Sequence, residues 1–400
     1  MTTSSSSSMS LPPAWLAHAF RPFFLLAALY AIVVMAGWLG AWFLAWPVTG
    51  ALAPVHWHTH EMLFGVVVAA IAGFLLTAMC NWTGAAPLAG RGLAAVVGLW
   101  LAGRLVMWTS HWLPPAFVGI VDSAFLLVLA GYAGRVILAA GNRRNLILIG
   151  VIGVLFLANV FSHLGYWWLD PGWARRGELM AVFLVVLLMV IIGGRITPAF
   201  TRNWLLRRGR PAEPVRSHSW VERMVMISTI ALVPAVLIPL PAGWLAALVA
   251  ICGLANLVRV LGWSGWAGRS DPLIWILHVG YGWVVVGLLL KSAGLVIPAL
   301  PDSAWLHALG VGAMGTLILG VMTRVCLGHT GRELILPAGA WSIYLAITTS
   351  AALRVLSAVD LVHGRWPLAL AAAAWMLAFA LFLVFYSRVL ATPRADGRPG

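Results

Sequence analysis

The stretch MAVFLVVLLMVIIG, residues 180–193, holds no charged side chain and no alternation of apolar with polar positions. The run from Leu368 to Tyr386 reads the same way. A transmembrane β-barrel would alternate over segments of about 10 residues, and these runs do not. Crossing a hydrocarbon layer about 30 Å thick takes about 20 apolar residues per helix, and a helix satisfies its own backbone hydrogen bonds where water is absent. The two runs therefore predict membrane-spanning helices, and the rest of the 400 residues agrees: 62% are hydrophobic and 9% charged, against about 25% charged in a soluble domain.

Reading apolar runs against Pro, Gly and Arg punctuation predicts twelve spans, near 20–45, 60–80, 91–109, 115–138, 145–169, 178–197, 223–240, 243–262, 272–294, 303–325, 335–358 and 366–389. The expected fold is thus an all-α polytopic membrane protein, arranged as one membrane domain over 20–390. It is flanked by a Ser-rich disordered tail, 1–19, and a short C-terminal tail, 391–400. The first apolar run, Phe23 to Leu44, is longer than the ~7–15-residue core of a signal peptide and reads as a retained span. Of the 25 Lys and Arg residues, nineteen fall on one side of this topology, five on the other, and Arg104 inside span 3. The positive-inside rule then places both termini in the cytoplasm, with a cytoplasmic membrane as the expected location. The net charge of +14 is spread through short loops, which argues against nucleic acid as a partner and leaves the lipid bilayer as the surrounding medium. Cys80, Cys252 and Cys326 show no paired spacing and read as bystander thiols.

A weak four-span repeat runs through the chain. Span 2 opens with His60 and ends at Cys80; span 10 opens near His307 and ends near Cys326; span 6 carries Glu178 at the matching place. Three modules of four helices would produce this pattern.

Chemistry points to the eleven histidines, since ionisable side chains in membrane spans are costly. His56, His58 and His60 at the entrance of span 2, His163 in span 5 and His307 at the start of span 10 converge on one leaflet, opposite the termini. Imidazole ligates haem iron, copper and zinc, and two imidazoles from different helices can clamp a haem. His56 and His60 share a helical face; His58 points elsewhere. Interfacial histidines bonded to water or headgroups would fit each position singly. His163 and His278 each precede a tyrosine by three residues, Tyr166 and Tyr281, as a proton relay or as a packing pair, and His278 lies apart in the other half of span 9. Arg104 and Asp122 suggest a buried ion pair; alternatively Arg104 clamps a carboxylate such as a haem propionate. Glu61 would support His60 or carry protons. Most of the 23 tryptophans fall at span ends as aromatic belts. No P-loop, HExxH or CxxCH motif occurs, so any haem would be held without covalent attachment.

The segments FRPFFLLAALYA (20–31), HWHTHEMLFG (56–65), AGFLLTAMCNWTG (72–84), IGGRITPAFTRNWL (192–205) and HALGVGAMGTLILGVMTRVCLGHTGR (307–332) closely resemble the NnrS family. That resemblance implies a haem- and copper-containing membrane protein of denitrifying and related bacteria, linked to nitric oxide metabolism and nitrosative stress, with a b-type haem. A fainter likeness to the haem–copper oxidase core, twelve spans with haem-binding histidines on spans 2 and 10, implies by position that His60 and His307 hold the haem; Arg104, by its own chemistry, is the candidate for the propionates. His56, His58, His163 and, as a separate inner candidate, His278 would then supply further metal ligands. Spans 6 and 7 lack the histidines of the oxidase copper site, which argues against oxygen-reduction chemistry of that type. The expected function is nitric oxide response, binding or detoxification, and if the chain is an enzyme it is an oxidoreductase acting on nitric oxide with an unidentified electron donor. A proton- or metal-coupled transporter, or an assembly subunit for another membrane enzyme, are the competing readings.

Overall fold

The computed structural model describes residues 12–47, 50–168, 170–212 and 215–398. Its long helices are α1 (Phe20–Leu44), α2 (Pro54–Thr83), α3 (Gly90–Trp108), α4 (Pro115–Ala139), α5 (Leu146–Trp167), α6 (Pro171–Arg207), α7 (Ser219–Ala235), α8 (Ala242–Leu261), α9 (Pro272–Gly294), α10 (Asp302–Gly328), α11 (Trp341–Ala358) and α12 (Trp366–Ala391). Ten are long and apolar enough to cross a membrane; α7 and α11 fall short of that standard. The twelve match the expected spans one for one, and no strand occurs among the described residues. Residues 1–11 of the expected tail lie outside the described chain, whereas Ala14–Leu16 form a turn of 3-10 helix with Leu16 and Ala19 buried.

Local chemistry sets several starts. Proline opens α2, α4 and α9 at the first helical position, where a missing N–H costs nothing. Asp170 and Asp271 cap α6 and α9 by accepting from the backbone N–H of Gly172 and Leu273 at 2.9 and 3.0 Å. Two boundaries differ from expectation for physical reasons. Helix α2 begins six residues before His60, so His56 and His58 sit in its first turns rather than in a loop. Helix α6 runs through Pro198 to Arg207, since a proline within a buried transmembrane helix is tolerated where neighbours satisfy the freed carbonyl groups.

Each helix packs on its successor and α12 returns to α1, closing the ring of helices. Helices α2, α6 and α10 occupy its middle: 78%, 67% and 72% of their apolar windows are buried, against 33–56% for the other candidate spans. The four-span rhythm read from the sequence is thus a spatial one, with the second helix of each four at the centre. The histidine-bearing starts of α2 and α10 lie at the end of the bundle away from the termini. At the other end the chain ends meet, where Arg21 donates to the carbonyl oxygens of Leu390 and Thr392 at 2.8 and 2.7 Å. Exposed tryptophans, among them Trp46, Trp112, Trp168, Trp244, Trp341 and Trp366, mark helix ends, as an aromatic belt requires.

The repeat is closest between α2 and α10. Immediately after His60 the backbone widens into a π-helical turn, Glu61–Val67, and immediately after His307 into another, Ala308–Gly315. Such turns are uncommon and cluster at functional sites, because each re-aims the side chains that follow it.

Candidate functional site

The histidines separate into two neighbouring sites with opposite character. The first is a dense polar knot among α1 to α5. Glu61 follows His60 into the first π turn and is fully buried. Arg104 from α3 donates to both Glu61 oxygens at 2.8 Å and pairs with Asp122 of α4. Tyr30 of α1 donates its hydroxyl to Glu61 and accepts from the Trp108 indole at 2.9 Å. Gly65 permits this packing, because a Cβ there would meet the Tyr30 ring at 2.6 Å. The Arg104–Asp122 pair considered from the sequence exists, and Glu61 completes it as a triad.

His60 lies within this knot. Its Nδ1 is 2.8 Å from Glu61 Oε1, and its Nε2 is 3.0 Å from Asn159 Oδ1 and 3.2 Å from Asp122 Oδ2. Asn159 is oriented by donating its amide to Asp122 Oδ2 at 2.7 Å, and His163 Nε2 stands 2.9 Å from the same oxygen. Two carboxylates face one guanidinium, leaving one negative charge over if the imidazoles are neutral. Both His60 nitrogens face acceptors, an arrangement satisfied by a protonated ring or by a cation in the proton's place. Donor atoms of His60, Asp122 and His163, all buried, lie within 4.8 Å of one another. Two imidazoles and a carboxylate form a donor set suited to copper, zinc or iron.

The second site is hollow. A cavity of about 550 Å³ opens between α1, α2, α6, α10, α11 and α12, within the ~300–1,000 Å³ range of cofactor pockets. Both π turns contribute to its wall, through Met62, Leu63, Val66 and Val67 on one side and Gly310, Val311 and Met314 on the other. His58 and His307 line it. His307 is held by Nδ1 against the Ser303 carbonyl oxygen at 2.7 Å, the bond that leaves Nε2 as the free donor of an oriented ligand. His58 stacks on Trp38, ring centroids 4.5 Å apart, and its buried Nδ1 has no partner. At Gly310, one turn beyond His307, an added Cβ would meet nothing within 4 Å. Arg354 of α11 also lines the cavity, and among the described residues no carboxylate pairs with it.

A bridge joins the two sites. His56, on the cavity wall, meets Glu178 Oε1 through Nδ1 at 2.6 Å, and Tyr166 donates to the same oxygen at 3.0 Å. The Tyr166 ring lies 5.5, 6.2 and 6.1 Å from those of His56, His60 and His163.

Thus the expected leaflet convergence of five histidines is present, but their division differs from the one the oxidase likeness implied. The helical phase turns His58, not His60, towards the cavity that His307 lines, while His60 and Arg104 are consumed in the polar knot. His56 and His60 share a side as expected, both against Tyr166. His278 stands alone near the other end, its Nε2 2.9 Å from Thr201 Oγ1. Neither His–Tyr sequence pair is a hydrogen-bonded pair: Tyr166 turns to Glu178, and Tyr281 donates to Asn256 at 2.6 Å. Arg354, Asn159 and Ser303 were not anticipated. A lone arginine among the apolar residues of α11 is the signal that could have found the first, since an intramembrane cation demands a partner.

Nine helices around three central ones, with a buried histidine–carboxylate cluster beside a cofactor-sized cavity, define a polytopic membrane protein with two candidate intramembrane sites. The sequence model of the NnrS protein matches residues 14–394, nearly the whole chain, and the chain belongs to the NnrS family. No curated protein matches it.

Proposed function

We propose that this protein is a haem and copper protein that binds nitric oxide within the membrane and takes part in its response or removal. The observation that carries the reading is the cavity in which an oriented imidazole, His307, a second imidazole, His58, and an unpaired guanidinium, Arg354, meet amid apolar side chains. That set fits a porphyrin: imidazole for iron, apolar walls for the macrocycle, and a cation for a propionate. Gly310 leaves room for a flat group beside His307. Haem, when bound, supplies an iron able to take a diatomic ligand.

The two imidazoles are not equivalent. The Ser303 carbonyl fixes the His307 ring and raises its basicity, so His307 would be the firmly oriented ligand of the two. His58 is held only by stacking on Trp38 and would be the less firmly fixed of the two imidazoles offered to the iron. Arg354 would hold a propionate, and Arg175, tied to Glu178 and Asp302, lines the same cavity. Nitric oxide is small and apolar and reaches such a site through lipid, which is consistent with an intramembrane pocket.

The second metal belongs with His60, Asp122 and His163, where one positive charge completes the balance. Copper is the ion the family likeness implies, and the donor set accepts it. Arg104 and Glu61 hold the ligands in place and are not themselves contacts to it. The transporter reading gains no support from α2 and α10, which widen into π turns but do not break as the discontinuous helices of transporters do.

The test is an absorption spectrum of detergent-purified protein, oxidised, reduced and with nitric oxide added, with iron and copper quantified alongside. A Soret band that moves on reduction and again with nitric oxide is the expected result. A featureless spectrum from protein expressed with ample haem overturns the reading.

A further inference from the structure

A second cavity, of about 110 Å³, lies among α1, α2, α5, α6 and α10. Every side chain lining it is apolar, including Phe24, Ala70, Ile152, Leu188, Met189 and Leu317. Val67, Met314 and Ile318 belong to its wall and to the wall of the larger cavity alike, so the two chambers are neighbours with three shared side chains between them. Val67 and Met314 are themselves part of the two π turns.

We propose that this apolar pocket is a binding site for small apolar gas molecules, nitric oxide among them, and that it stores them beside the large cavity and delivers them into it. A buried water needs two to four polar partners, and this lining offers none, so the chamber is dry. A void of this kind forfeits dispersion contacts that any small apolar occupant restores. Apolar cavities somewhat larger than this one, about 150 Å³, stay dry and take up xenon or benzene; at 110 Å³ the chamber suits a noble-gas atom or a few diatomic molecules rather than a drug-sized ligand. Polar substrates and ions are excluded by the same lining. The partition is deformable, because Met314 is unbranched with three rotatable bonds, so a rotamer change connects the chambers without moving a helix. The delivery half of the proposal rests on the reading of the large cavity as a haem site; the binding half does not.

The experiment uses xenon on the full-length protein in detergent, with ¹³C-methyl methionine NMR. Met189, Met314 and Met322 line the chamber, whereas Met224 on α7 is exposed. Saturable shifts of the three lining methyls, with only a linear drift at Met224, are expected. Ala70→Leu fills the chamber and should abolish the saturable component; Leu188→Phe, a second filling variant, guards against a misfolded first one. In the haem-loaded protein, nitric oxide association after flash photolysis should slow several-fold in either filled variant. Saturable shifts that are absent in the native protein, or that persist in a folded filled variant, overturn the gas site. Unchanged association overturns the delivery role. A protein without haem gives no photolysis signal and sinks the haem reading, while the xenon result still decides the chamber.

Discussion

The sites at His60 and His307 begin from the same local structure, a histidine followed at once by a π turn on a central helix, yet one is packed solid with charge and the other is hollow with largely apolar walls. Helical phase makes the difference. His60 turns towards α3, α4 and α5, which bring Arg104, Asp122, Asn159 and His163; His307 turns towards α2, α11 and α12, which bring His58, Arg354 and a wall of Leu, Val, Met and Ala. A knot of formal charges inside a membrane survives only if it is nearly neutral and fully hydrogen-bonded. A cavity with one cation free of any carboxylate offers that cation to an anionic ligand. On the proposed function the same repeat would yield a place for a small ion and a place for a flat cofactor, and the contrast can be broken by substitution.

The largest effect belongs to Arg104. Arg104→Leu strands the buried Glu61 and Asp122 carboxylates, and removing one partner of a buried pair costs about 3–5 kcal/mol. The variant should melt far below the native protein in detergent or fail to accumulate in the membrane. Arg354→Leu should leave the melting of the haem-free protein unchanged, because no carboxylate depends on it. Equal destabilisation by the two would erase the distinction between knot and cavity.

Next come the histidines themselves, as a crossed pair of experiments. His307→Ala and His58→Ala should diminish or abolish bound haem and retain copper; His60→Ala and His163→Ala should lose copper and retain the Soret band. Metal analysis and absorption spectra on all four decide the matter, and haem lost from His60→Ala but kept in His58→Ala would restore the assignment first suggested by span position. A smaller effect follows from Arg354→Leu, where loss of a charge-assisted contact worth about 1.5–3 kcal/mol should weaken haem binding by tenfold or more, measured by transfer of haem to an excess of a soluble acceptor.

Much of this was legible in the chain because membrane spans are long, uninterrupted signals. All twelve helices, the four-span rhythm and the convergence of five histidines follow from apolar runs and their punctuation. The partition of those histidines does not. His56, His58 and His60 lie so close along the helix that their assignment turns on rotation about the α2 axis, and the π turn after His60 is invisible to a 3.6-residue period. Asp122 was flagged only as a partner for Arg104, since nothing in the sequence says that α5 also brings His163 and Asn159 to it. Pro198 ended the sixth span on paper because a proline usually stops a helix, a rule that buried transmembrane packing overrides.

The smallest effect lies at the opposite end of the bundle and isolates the fold from both sites. His18 sits just before α1 with its ring 6.1 Å from that of Phe20; burial first, then the neighbouring His329, Arg21 and Arg394, lower its pKa from 6.5 to about 4. Its neutral form is favoured in the folded protein, so the unfolded chain takes up the proton first as the solution is acidified. The contribution of His18 to stability is therefore complete above pH 6.5 and declines as pH falls from 6.5 towards 4. His18→Phe keeps the packing on Phe20 and removes the titration. Its melting temperature relative to the native protein should rise progressively through that window and be constant above it. A difference that stays constant through the acid range would mean that His18 does not titrate with folding, and that any acid sensitivity of the protein arises at the histidines of α2, α5 and α10 instead.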